Sequence, residues 1–277
     1  MFTKKIMSAY FASSILLGLG FAIWRIALML QYYDPYNNEY SIDAKTALQT
    51  FGYVLLAALL AMATSYFFLR KQEFSPFSAS THQLSVFASA LLGFIFVAIG
   101  FLILLYYSNE LFGQNSSAFF KGLRIVSFIL LFFSAAYFIL SAAASRISQK
   151  AKTICAFFPT LFTLSFLIVS YINPDHHYTD FNHNLCNLSI CALLLFFLHE
   201  TRASVAGKST PIRFVFSLVA LVFLLAYILP IFVLMAFWEL PTGIDVLFEA
   251  VECGAIFYIV SVLYSMIHAV KPKENLA

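Results

Sequence analysis

Eight apolar runs divide this chain, at approximately 7–32, 47–69, 84–107, 122–145, 154–172, 185–200, 212–237 and 244–270. A helix rises about 1.5 Å per residue and a bilayer core is about 30 Å thick, so roughly 20 apolar residues suffice to span it. The sixth run is the weakest, with Asn187 near its start and His199-Glu200 at its end. Of the 277 residues, 62% are hydrophobic and 10% charged, against about 45–50% and about 25% in a soluble domain. Packed in water, such a chain would expose large apolar faces. The expected fold is therefore all-α: a polytopic integral membrane protein with eight transmembrane helices set in the lipid bilayer.

The basic residues give an orientation. Lys4, Lys5, Arg70, Lys71, Arg146, Lys150, Lys152, Arg202, Lys208, Arg213, Lys271 and Lys273 fall on one side, twelve of the 16 Lys and Arg. Lys45, Lys121 and Arg124 fall on the other, and Arg25 lies inside the first run. The positive-inside rule then predicts cytoplasmic N- and C-termini. The first run is longer than the roughly 7–15 residues of a secretory core, so it reads as a retained anchor. The composition suggests the plasma membrane, in the style of a bacterial inner-membrane protein. A net charge of +3 gives no reason to expect nucleic acid.

An internal echo suggests duplication. Leu28, Tyr32, Asp34 and Pro35 align with Leu167, Tyr171, Asn173 and Pro174. Glu110–Gly113 resembles Glu239–Gly243, and Tyr137 aligns with Tyr258. The expected organisation is a 4+4 tandem repeat, residues 1–150 and 151–277, together forming one membrane domain. Four spans is an even number, so the halves would share an orientation. The competing reading is chance similarity between apolar runs that end in turn residues.

Charges inside the membrane are costly and therefore pair or face a polar cavity. Asp245, Glu249 and Glu252 lie at i, i+4 and i+7 in the last run, hence on one stripe. Glu252 would sit about 10 Å below the outer end of its helix, and Arg25 lies at a similar depth in the first. The expected pair is Arg25 with Glu252 or Glu249, and the repeat sets Arg124 opposite Asp245. Together Arg25, Arg124, Asp245, Glu249 and Glu252 form either a structural ion-pair network or a ligand site opening outward.

A second candidate is the stretch from Asp175 to His183, where His176, His177, Asp180 and His183 could offer N and O ligands to a divalent metal. Its spacing fits no closed metal motif, and a solvated loop is the competing reading. His199, Glu200 and Arg202 read as an interfacial charge cluster. The cysteines, Cys155, Cys186, Cys191 and Cys253, have no CxxC spacing and read as small buried hydrophobes, with a Cys186–Cys253 bridge left open. Asn115-Ser116-Ser117 matches a glycosylation sequon.

Small residues recur four apart in the second run (Ala57, Ala61, Ser65) and the third (Ser85, Ser89, Gly93), a spacing that allows close helix crossings. Pro230 in the seventh run marks a kink. HExxH, GxSxG, Walker and dinucleotide motifs do not occur, so the chain is read as no enzyme and no cofactor is expected. The functional expectation is a carrier for a small solute or ion, with its charged site in the outer half between the first, fourth and eighth helices. The alternative is a non-transporting membrane subunit that binds a protein partner through the second and third.

Overall fold

The computed structural model describes residues 2–34, 39–70, 83–108, 118–143, 149–172, 180–235 and 244–269, without the side chains of Asp245 and Glu249. Outside it lie Pro35, Asn173 and Pro174 of the internal echo, with both of its acidic turns at 110–113 and 239–243. The sequon, His176 and His177 lie outside it too.

The described chain is almost entirely helical, and eight helices are long and apolar enough to cross a bilayer. They are α1 (Phe2–Tyr32), α2 (Lys45–Ala63, continuing as Ser65–Leu69), α3 (Gln83–Tyr106) and α4 (Ala118–Ala142). Then follow α5 (Gln149–Cys155, continuing as Phe157–Ile172), α6 (Phe181–Ala206), α7 (Pro211–Met235) and α8 (Ile244–Ala269). The one addition to the all-α expectation among the described residues is a two-residue ladder, β1 (Tyr33–Asp34) with β2 (Glu39–Tyr40), which pairs Tyr33 with Tyr40.

The packing closes a ring in which α3 contacts α4, α4 contacts α5, and so on through α6, α7 and α8, which returns to α3. Helix α1 lies along the outside of α7, and α2 leans on both. In the most apolar stretch of α7, 72% of residues are buried, against 22% in α2. One helix is thus the axle and the other a flank. Contacts cross between the two expected halves, α1 on α7 and α3 on α8.

Packing is the main source of helix association in lipid, and the glycines mark where it is tightest. A Cβ on Gly93 of α3 would lie 2.7 Å from Ile139 Cγ1 and 3.1 Å from the Ile139 backbone nitrogen on α4. A Cβ on Gly254 of α8 would meet Leu92 and Ile95 of α3, and one on Gly18 of α1 would meet Leu225 of α7. Ser89 Oγ donates to the Phe138 carbonyl of α4 at 2.8 Å, and Ser127 of α4 to Ser165 of α5 at 3.0 Å. The Ser85–Ser89–Gly93 face is therefore buried within the chain. Only on α2 do the expected small residues Ala57 and Ala61 face outward.

Two helices are interrupted where a hydroxyl is at hand. At Thr64 in α2 the side chain donates to the Ala61 carbonyl at 2.6 Å, and the Tyr10 hydroxyl of α1 bonds Thr64 Oγ1 at 2.9 Å. In α5 the break falls at Ala156, just before Pro159, and Thr201 of α6 donates to the Ala156 carbonyl at 2.6 Å. Proline removes a backbone donor, and a neighbouring hydroxyl can satisfy the carbonyls such a break exposes.

Inside the ring, Phe138 of α4 packs on Phe96 of α3, Phe197 of α6 and Tyr258 of α8. Phe162 of α5 joins through Phe96, and Phe196 of α6 through Tyr258. These rings form an aromatic septum across the middle.

A candidate functional site along one face of α6

Helix α6 is longer than its apolar run. Asp180 caps its start, accepting from the backbone N–H of Asn182 at 3.0 Å and His183 at 3.4 Å. Gly207, at φ 64°, ends it in the left-handed conformation that glycine adopts without strain. The helix therefore covers residues 181–206 where the apolar run gave 185–200.

Asn182, Ser189, Phe196 and Glu200 follow one another at spacings that keep all four within about 40° of one line on the helix, at 100° per residue. Ser189 and Glu200 are buried, and Asn182 is half-buried. Each of these three polar residues receives an ionisable side chain from a different helix: Arg25 of α1 at Asn182, Glu252 of α8 at Ser189, and Arg213 of α7 at Glu200. At 1.5 Å per residue, the first two stations are about 10 Å apart and the last two about 16 Å apart.

At the Asn182 station Arg25 is fully buried. Its Nη2 donates to Asn182 Oδ1 at 2.9 Å, and its Nη1 donates to the Tyr227 carbonyl at 2.6 Å and the Ala226 carbonyl at 3.4 Å. The guanidinium also lies 5.0 Å from the Tyr227 ring centroid. Pro230 accounts for one of these carbonyls. It has no N–H to offer residue i−4, which is Ala226. The kink anticipated at Pro230 and the charge anticipated at Arg25 are therefore two halves of one arrangement. Among the described residues Arg25 bonds no carboxylate, Glu252 included, and the Glu249 side chain lies outside them. A backbone gap in α7 and the Asn182 amide hold it instead.

Tyr40 donates to the same Asn182 Oδ1 at 3.3 Å, and its ring packs edge-on against Phe181. Tyr33, its ladder partner, has its pKa pushed up to about 12, by burial first and then by the negative charge of Asp180. Burial raises that of Tyr40 too, while the adjacent Arg25 guanidinium pulls the other way.

At the middle station Ser189 Oγ donates to Glu252 Oε2 at 3.0 Å, and Glu252 is buried. This bond joins α8 to α6 across the inside of the ring, since α7 stands between them in the packing order. Glu249 and Asp245 lie on α8 about one and two turns before Glu252. Arg124 is half-buried on α4, its guanidinium 4.6 Å from the ring centroid of Phe120.

The Glu200 station corrects the sequence reading of His199, Glu200 and Arg202 as an interfacial charge cluster. Glu200 and Arg213 are both buried. Glu200 Oε2 accepts hydrogen bonds from Arg213 Nε at 2.7 Å and from Arg213 Nη2, forming an ion pair. Its Oε1 accepts from the Tyr258 hydroxyl at 2.9 Å, and Arg213 Nη1 donates to Ser209 Oγ at 2.6 Å. Tyr137 of α4 reaches the Tyr258 side chain, so the two tyrosines aligned by the internal echo meet here. His199 stacks on Phe216 at 4.7 Å between centroids. Arg213, assigned to an inner connecting segment by its charge, belongs to the first turn of α7.

Of the metal candidates, Asp180 is engaged as a helix cap, and His183 Nε2 lies 3.0 Å from Asn187 Nδ2. No cluster of three or more His, Cys, Asp or Glu suited to a metal occurs among the described residues. The four cysteines are free.

Asn182, Ser189, Glu200, Arg213 and Tyr258 escaped the sequence reading. One signal was available. Eighteen residues separate Asn182 from Glu200, about five full helical turns, so a helix running through both would set them on the same line. Compared with protein-family models, curated proteins and solved structures, the chain has no significant match.

Proposed function

We propose that this chain is a multi-pass plasma-membrane protein, both termini cytoplasmic, that carries a small solute or ion along the polar face of α6. The observation that carries this reading is the convergence of Arg25, Glu252 and Arg213, from three helices, onto Asn182, Ser189 and Glu200 of a fourth. Ionisable groups inside membrane helices are costly to keep, and substrate and ion paths are among the roles that retain them. The aromatic septum around Phe138 separates the Glu252 station from Glu200, as a carrier needs if the two ends are never open together. Pro230 on the central α7 gives that helix a place to bend.

The sequence-predicted site keeps Arg25 and Glu252 but shifts from helices α1, α4 and α8 to α1, α6, α7 and α8. The test begins with purified protein and a panel of amino acids, sugars, organic acids and inorganic salts, scored by the thermal unfolding midpoint. The stabilising solute is then followed in counterflow across proteoliposomes. Glu252→Gln and Ser189→Ala should abolish counterflow while leaving the unliganded midpoint within a few degrees of wild type. Full counterflow in both variants would refute the reading.

The outward face of α2, with Ala57 and Ala61, favours a second reading as a membrane subunit that binds a partner. No response to any solute, together with a stoichiometric co-purifying protein, would establish it.

A further inference from the structure

Among the described residues two buried arginines meet α6, Arg25 from α1 and Arg213 from α7, and they differ in one respect. Arg213 presents its Nε–Nη2 edge to a carboxylate, Glu200. Arg25 is more deeply enclosed, yet its bonds among the described residues run to neutral oxygens: the Asn182 amide, the Tyr40 hydroxyl and the carbonyls of Tyr227 and Ala226. Its Nε is buried without a hydrogen-bond partner. A buried cation without a counter-charge is costly, and an unmet buried donor adds to that cost. Arginine's planar fork is matched by a carboxylate that accepts from two parallel N–H groups.

We propose that the Nε–Nη2 edge of Arg25 is a binding site for the carboxylate group of a small monoanionic solute. The neighbouring groups suit that class. Tyr40 can turn its hydroxyl from Asn182 Oδ1 onto a bound oxygen. Asn182 Oδ1 keeps Arg25 Nη2 as its donor when the Tyr40 hydroxyl turns away, since Nη2 carries two N–H groups and a bound carboxylate takes the other. Asp180 is turned toward its own helix start, bonded to the N–H groups of Asn182 and His183. Its charge is close enough to raise the pKa of both Tyr33 and Tyr40. That nearby negative charge disfavours a second one on the solute, which selects monocarboxylates over phosphate dianions.

The assignment deepens the carrier reading by naming its substrate class, and binding is measured apart from transport so that the two can fail separately. The full chain in detergent is titrated with sodium acetate, sodium benzoate, sodium phosphate and sodium chloride at equal ionic strength, following the thermal midpoint. Acetate or benzoate should raise the midpoint with saturation, and chloride should not. Arg25→Lys keeps the charge but loses the fork, and should weaken carboxylate affinity by about tenfold or more. Tyr40→Phe, which removes one hydroxyl and serves if Arg25→Lys does not fold, should weaken it about two- to tenfold. Equal shifts with carboxylate and chloride, a shift with phosphate alone, or carboxylate shifts unchanged in both variants would overturn the site. Carboxylate binding without counterflow would leave the site standing and remove the carrier. Counterflow of an uncharged solute with no carboxylate shift would do the reverse.

Discussion

The meeting of Arg25 with the proline break in α7 can be tested by a double-mutant cycle. In the wild-type protein Pro230 leaves the Ala226 carbonyl without its helical donor, and Arg25 Nη1 lies across the Ala226 and Tyr227 carbonyls at 3.4 and 2.6 Å. Arg25→Met removes that donor while keeping apolar bulk. The stranded buried acceptors should cost about 1–3 kcal/mol each, less whatever local relaxation recovers. In a Pro230→Ala background the alanine N–H can reach Ala226 and close the helix, so one of those acceptors is satisfied without Arg25. The loss of the Asn182 contact and of the buried charge is common to both backgrounds and cancels. The cycle should therefore give a coupling of about 1–2 kcal/mol, with Arg25→Met less damaging in the alanine background. The assay is reversible unfolding in mixed micelles as the denaturing detergent fraction rises. Additivity within about 0.5 kcal/mol, the usual scatter for independent sites, would refute the reasoning.

Three further outcomes follow from the geometry. Glu200→Ala takes the carboxylate away from the buried Arg213 and should destabilise by about 3–5 kcal/mol in the same assay, whereas Tyr258→Phe, which removes one neutral donor, should cost only about 1 kcal/mol. Gly93→Ala sets a Cβ 3.1 Å from a backbone nitrogen of α4 and should cost about 1–3 kcal/mol by overpacking, while Gly20→Ala, whose Cβ meets nothing within 4 Å, should change stability by less than about 0.5 kcal/mol. Because the folded-state pKa of Tyr33 is raised to about 12 from 10.0, the folded protein holds that proton more tightly than the unfolded chain, so stability is fully present below pH 10 and declines from there to about pH 12. A late tyrosinate absorbance component, missing in Tyr33→Phe, checks this assignment.

Hydrophobic runs were enough to locate the helices, because a span in lipid must be long and apolar whatever it packs against. Their ends were harder to place. Helix α6 outgrew its run because Asn182, His183, Glu200 and Arg202 lower the local hydropathy, although Asp180 and Gly207 are ordinary capping residues. The burial of Arg25 could be anticipated from a single charge inside an apolar stretch. Its partners could not, because a carbonyl freed by proline has no letter of its own in a sequence. Glu200 and Arg213 were misplaced for a related reason. Charges flanking a short turn look like surface residues until α7 folds back along α6 and presses the two together. The deeper acid, Glu252, was found by its position, but the serine that meets it on α6 is too common a residue to stand out.

Helix α2 touches the rest of the protein along a narrow seam, chiefly Phe51, Leu55, Met62, Ser65 and Leu69. Phe51 packs on Phe21 and Trp24 of α1 and on Phe181 at the head of α6, and Phe181 in turn abuts Tyr40. A helix held by so little can peel away while the six-membered ring stays intact, in the way that weakly packed units open below the global unfolding free energy. When it does, the aromatic lid above the Arg25 guanidinium loses its sidewall first. Lateral pressure in the bilayer, or whatever lies against α2 from outside, would then govern how readily that buried charge meets the external medium.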